Sequence, residues 1–185
     1  MNDHHPTLLD HPTPARPAEL ARLFLALWPG ASVRTALLDH QRQWSWPRRS
    51  SPVKADRLHL TLHFIGAVER ARVAEIATGL DVARVACELS LTRAEIWPRG
   101  IAVLATTELP AGLRQLHAGL GDALRALHLP VETRQLRPHV TLARHAAAAI
   151  PPSEAQLLSW PIDSYVLVES TLGADGSYHL LRRYD

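Results

Sequence analysis

A single domain that mixes strands with helices and divides into two lobes is what three observations on the 185-residue sequence predict. The length falls within the roughly 100 to 200 residues of one domain. Hydrophobic residues make up 46% and charged residues 21%, ordinary globular usage that can bury enough apolar surface to offset conformational entropy. Third, R-L-H-L-T-L at residues 57–62 is matched by R-P-H-V-T-L at residues 137–142, so each half of the chain contributes one copy.

The elements follow in order. Residues 1–19 carry Pro6, Pro12, Pro14 and Pro17, three of the eleven histidines and no apolar periodicity, and read as a flexible leader before a domain over 20–185. His4, His5 and His11 read there as solvated tail residues in preference to metal ligands. The apolar run 21–28, with Phe24 and Leu25, stops at Pro29 and Gly30 and reads as a buried strand, with a helix after it over 32–43. From Trp44 to Arg57, proline breaks any regular pattern. That segment carries Trp44, Trp46, Arg48, Arg49 and Lys54. It is either a substrate loop that stacks bases and neutralises phosphates or a plain surface connection. Residues 58–65 read as a strand, 69–84 as a helix, and 88–97 and 101–106 as strands joined by a turn at Pro98, Arg99 and Gly100. Leu113, Leu116, Leu120, Leu124 and Leu127 repeat at amphipathic-helix spacing within 110–128, and Pro130 stops that helix. A strand over 136–143, a loop or short helical region over 146–160, and a hairpin of 164–172 with 177–184 around 173–176 complete the chain.

Charge excludes little: 20 Lys plus Arg face 18 Asp plus Glu, so nucleic acid is neither demanded nor ruled out. Lys54 is the sole lysine, which makes every other basic side chain an arginine able to pair bidentately with phosphate. Cys87 stands alone, so no intrachain disulfide forms, in keeping with a reducing, cytoplasmic setting. No apolar run approaches the roughly 20 residues of a membrane span.

The repeat carries the chemistry. On a strand His59 and Thr61 project to one side, and Leu58, Leu60 and Leu62 to the other; His139 and Thr141 repeat the pattern. Two imidazoles and two hydroxyls converging across a cleft suit acid–base chemistry on a phosphodiester, one imidazole taking a proton from water while the other gives one to the leaving oxygen. The hydroxyls donate to non-bridging oxygens as charge grows, and an arginine adds to it. A metal site fits poorly, since neither motif contains Cys and no Asp or Glu lies within two residues of either histidine. His63 and His145, just past the motifs, read as structural or peripheral.

With R-L-F-L-A-L-W-P at 22–29, L-H-L-T-L-H-F-I-G at 58–66, R-P-H-V-T-L-A-R at 137–144 and Y-H-L-L at 178–181, the sequence resembles the 2H phosphoesterase superfamily and, within it, the RNA 2′,3′-cyclic phosphodiesterases, also called 2′-5′ RNA ligase-like proteins. The resemblance implies an α+β fold of two pseudo-twofold-related lobes, each an antiparallel sheet with helices packed outside, around a central cleft. It implies metal-independent hydrolysis of an RNA 2′,3′-cyclic phosphate end to a 2′-phosphate; no cofactor is expected, and the protein is expected to be a cytoplasmic monomer without membrane contact. His139 would be the proton acceptor, His59 the proton donor, Thr61 and Thr141 the phosphate holders, Arg144 a charge neutraliser and Phe24 part of the base pocket. The alternatives are a 2′-5′ RNA ligase, a phosphodiesterase on small cyclic nucleotides, and a non-catalytic RNA-binding module.

Overall fold

A computed structural model describes residues 19–153, 157–171 and 176–185. The predicted leader lies outside these residues except for Glu19, whose backbone carbonyl accepts from the Arg70 N–H at 2.8 Å. The hairpin turn predicted around 173–176 lies outside them except for Gly176.

Among the described residues ten strands and three α-helices follow in chain order: β1 (Leu20–Leu27), α1 (Ala31–Arg42), β2 (Ser51–Pro52), β3 (Leu60–Glu69), α2 (Val73–Gly79), β4 (Cys87–Leu91), β5 (Arg93–Trp97), β6 (Ile101–Ala105), α3 (Ala111–Ala126), β7 (His139–Arg144), β8 (Leu158–Ile162), β9 (Tyr165–Ser170) and β10 (Tyr178–Tyr184). One sheet runs β10-β9-β1-β3, a second β2-β7-β6-β5, and a ribbon pairs β4 with β8. All the pairings are antiparallel. This is the expected α+β architecture, with one motif strand in each sheet. The halves are interleaved: the first sheet takes its last two strands from the C-terminal hairpin, and the second takes β2 from the N-terminal half.

Apolar periodicity explains the long helices. In α1, Val33, Leu37, His40 and Gln41 are buried, and in α3 Leu113, Leu116, Leu120 and Leu124, each set forming one stripe. These stripes meet the core faces of both sheets in one continuous cluster that includes Leu23, Leu25, Leu60, Leu104, Val140 and Tyr165. A smaller cluster lies on the opposite face of the first sheet, where Phe24, Ala26, Val166 and Val168 pack with Trp28 and Tyr178.

Three expected elements differ. The helix expected over 69–84 is a 3-10 turn followed by α2, which ends at Gly79. The Tyr165 hydroxyl accepts from Val82 N–H at 2.8 Å and lies 2.9 Å from Leu80 O, a partner it can donate to, so the chain leaves the helix there. The strand expected over 88–97 is two, because β4 pairs with β8 while β5 pairs with β6. β8 itself falls in the expected loop; Pro161 is tolerated because the ribbon leaves an edge free of the ladder hydrogen bond that proline cannot make. Among the described residues no helix is long and apolar enough to cross a membrane.

Candidate active site

Both motif histidines are set by the same local device. His59, just before β3, has Nδ1 2.7 Å from the Arg57 carbonyl, and His139, opening β7, has Nδ1 2.7 Å from the Arg137 carbonyl. A carbonyl only accepts, so Nδ1 carries the proton in each ring and donates it. Nε2 is left as the atom that exchanges protons, in both rings alike. Thr61 and Thr141 follow two residues later, half-buried like the two histidines.

The strands then share an irregularity. In β3, Thr61 pairs with Ala26 and His63 with Leu25, so Leu62 is an extra residue; in β7, Thr141 pairs with Val103 and Ala143 with Ala102, so Leu142 is extra. Each bulge reverses the alternation of faces. Strict alternation would bury Arg144 and open Ala143. The bulge instead buries Ala143 and leaves Arg144 exposed on the face that carries His139 and Thr141. On β3 it turns His63 inward, 1% exposed, and Phe64 outward, 43% exposed. The structural role read for His63 fits this placement: its Nε2–H donates to the His117 carbonyl at 2.8 Å.

Aromatic rings surround the first histidine. Trp28 stacks on His59 with centroids 5.5 Å apart and planes at 10°, Tyr178 meets it edge-on at 5.3 Å, and Phe24 lies at 5.1 Å. Phe24 is only 2% exposed, so it packs against the His59 ring with its own faces already covered. His139 has one such neighbour, Trp97 at 4.4 Å. The arginines flanking the motifs lie over these rings, Arg57 over Tyr178 at 5.9 Å and Arg137 over Trp97 at 4.4 Å. Trp28, Trp97, Tyr178 and these two guanidinium positions were not singled out from the sequence. Only the matched Arg at the same offset hinted at them. Trp97 and Tyr178 reach the motifs through strand pairing, which periodicity does not reveal.

Burial is the main cause that lowers the pKa of both imidazoles. At His59 the Arg57 carbonyl opposes this, while the charges of His139 and Arg144 add to it. At His139 the Arg137 carbonyl opposes and the Arg137 charge adds. Two side chains of β7 thus act on the histidine that precedes β3, and the field where the motifs meet is positive, a setting for an anion. Among the described residues no three His, Cys, Asp or Glu side chains gather as a metal-binding group.

The segment from Trp44 to Arg57 is anchored at its two tryptophans, while Arg48, Arg49 and Lys54 are exposed. Trp44 is 4% exposed and stacks on Trp46 at 5.0 Å, and Trp46 donates to the Gln41 carbonyl at 3.1 Å. Gln41 in turn donates to Val53 O at 3.0 Å and to Leu142 O at 2.8 Å, tying the segment to the β7 bulge. Trp44 offers no open face for a base, whereas Trp46 is partly exposed.

Residues 32–102 match the family described as LigT like Phosphoesterase. The chain is 32% identical over 172 residues to an RNA 2′,3′-cyclic phosphodiesterase of Escherichia coli, an alignment covering 90% of this chain and 94% of that one. It is 29% identical over 180 residues to a protein of the same name from Thermus thermophilus, covering 88% and 89%. The crystal structure of E. coli LigT in apo form superimposes with a TM-score of 0.78 at 28% identity, over 90% of this chain and 98% of that one. With matched His-x-Thr motifs in two antiparallel sheets and a relative at this level over nearly its full length, the chain belongs to the LigT-like family of 2H phosphoesterases.

Proposed function

We propose that this protein is an RNA 2′,3′-cyclic phosphodiesterase that opens a terminal cyclic phosphate to a 2′-phosphomonoester without a metal ion. The observation that carries the reading is the pair of imidazoles fixed through Nδ1 and free at Nε2, each followed by a threonine on the same face. Nε2 of His139 takes a proton from water as the water oxygen attacks phosphorus. The P–O3′ bond breaks on the opposite side, and Nε2 of protonated His59 gives its proton to O3′. The product carries a 2′-phosphate and a 3′-hydroxyl; His139 leaves the step protonated and His59 neutral, and exchange with solvent restores both. The Thr61 and Thr141 hydroxyls donate to the non-bridging oxygens, and Arg144 offsets their growing charge. We take the enzyme to work as a cytoplasmic monomer, where the lone Cys87 stays reduced.

The test is an oligoribonucleotide ending in a 2′,3′-cyclic phosphate, incubated in excess EDTA, with the phosphate position assigned by ³¹P NMR. A 2′-phosphate is expected, with kcat falling roughly 10²- to 10⁴-fold in His59→Ala and in His139→Ala. A 3′-phosphate product, dependence on added metal, or undiminished turnover in either variant would contradict the reading.

A further inference from the structure

Next to the aromatic surround of His59 lies a cavity of about 290 Å³ in the first lobe alone, lined by Trp28, Arg34, Asp56, Arg57, Ser177 and Tyr178 among others. It shares its wall with His59, since Trp28 stacks on that imidazole and Tyr178 meets it edge-on. Arg34, Arg57 and Asp56 give the cavity charged groups of both signs. Arg34 comes from the first turn of α1, which contains no acidic residue. Its Nη2 donates to the Pro29 carbonyl at 2.9 Å, while its Nε is buried and finds no acceptor among the described residues. The buried Nε fixes how the guanidinium lies against the cavity wall, since leaving a donor unpaired costs free energy. The guanidinium of Arg57 lies over the Tyr178 ring, so cation and π-face are offered together.

Resting on the hydrolase reading above, we propose that this cavity is a second recognition site, in which Arg34 binds the phosphodiester on the 5′ side of the terminal nucleoside. A phosphate oxygen accepts from the Arg34 guanidinium where it lines the cavity. Trp28 and Tyr178 give the attached nucleoside an apolar wall, and Asp56 and Ser177 accept its N–H or O–H groups. The site makes the protein choose strand ends over free nucleoside cyclic phosphates, because a nucleoside 2′,3′-cyclic phosphate has no 5′ phosphate to fill it.

The experiment compares kcat/KM for a nucleoside 2′,3′-cyclic phosphate with that for the dinucleotide carrying the same cyclic end, in wild-type protein and in Arg34→Gln. Wild type is expected to prefer the dinucleotide roughly ten- to hundredfold, and Arg34→Gln to bring that ratio close to one. A second measurement guards against a variant that merely folds badly. In wild type, kcat/KM for the dinucleotide is expected to fall with salt more steeply than for the nucleoside substrate, the log–log slopes differing by about 0.7. Equal kcat/KM and equal slopes for the two substrates in wild type would overturn the assignment of the cavity and leave the hydrolase reading standing. A preference that survives Arg34→Gln would overturn it too. No turnover of either substrate would overturn the hydrolase reading and this site with it.

Discussion

The proton on Nδ1 is where the chemistry of each motif residue is decided. Because both Nδ1–H groups are held by the carbonyl two residues back, each ring works through Nε2 alone, and burial holds both pKa values below the ordinary imidazole value of 6.5. The proposed acid, His59, must start protonated, so lowering its pKa brings the alkaline limb of kcat/KM below pH 6.5. In the substrate complex the phosphate charge favours the imidazolium, so the same limb in kcat is expected at higher pH. Arg144→Gln removes one cause of the lowering. It is expected to move the alkaline limb of kcat/KM upward while kcat/KM falls roughly tenfold or more, and a limb that stays put would detach Arg144 from His59. The four motif residues were legible in the sequence because repetition marks them. The face that Arg144 occupies was not derivable from alternation, because the extra residue at Leu142 appears only once β7 is paired with β6.

Between elements, hydrogen bonds to single side chains decide where segments stop and how they pack. The Tyr165 hydroxyl on β9 serves the backbone at Leu80 and Val82 as α2 ends. Tyr165→Phe strands those groups in a buried setting, with an expected loss of about 1 to 3 kcal/mol in urea unfolding; a loss below experimental error would show that water replaces the hydroxyl. β3 and α3 meet through His63 and His117, whose rings stack at 4.0 Å and 17°. Burial and the neighbouring His63 charge bring the His117 pKa down to about 4, against the opposing pull of the Leu62 carbonyl and Glu132. Burial also lowers His63, where the His117 carbonyl and Glu132 oppose it and Arg125 adds to it. Unfolding frees these rings to take up protons, so stability is full above pH 6.5 and is lost as pH falls from 6.5 towards 4. Allowing for partial exposure of His117, the loss is roughly 1 kcal/mol, about 2 to 4 °C in Tm. His117→Leu should flatten Tm across that window, and an unchanged slope would place the acid sensitivity elsewhere. Helix spacing and apolar runs made β1, α1, β6 and α3 readable. What escaped, the break between β4 and β5 and the whole of β8, depends on partners far along the chain, which local periodicity does not carry.

Across the whole molecule, the interleaving of the halves makes neither lobe self-sufficient. The first sheet needs β9 beside β1, and the buried cluster runs through both sheets without a gap. A fragment ending at Ile162 removes β9 and β10, leaving Leu25 and its neighbours without a cover strand. It is expected to lose near-UV circular dichroism and cooperative melting; a sharp transition in that fragment would show that the lobes fold separately. The sequence repeat announced two related halves but not this exchange of strands, since each copy spans only six residues and the exchanged strands lie outside it. The paired bulges carry one more consequence. Leu62 and Leu142 occupy the same place in their strands, yet the residue each bulge delivers to the surface is Phe64 on one side and Arg144 on the other. An aromatic ring overlaid by Arg22 on one strand and a guanidinium on the other make the two matched ends unlike in their chemistry.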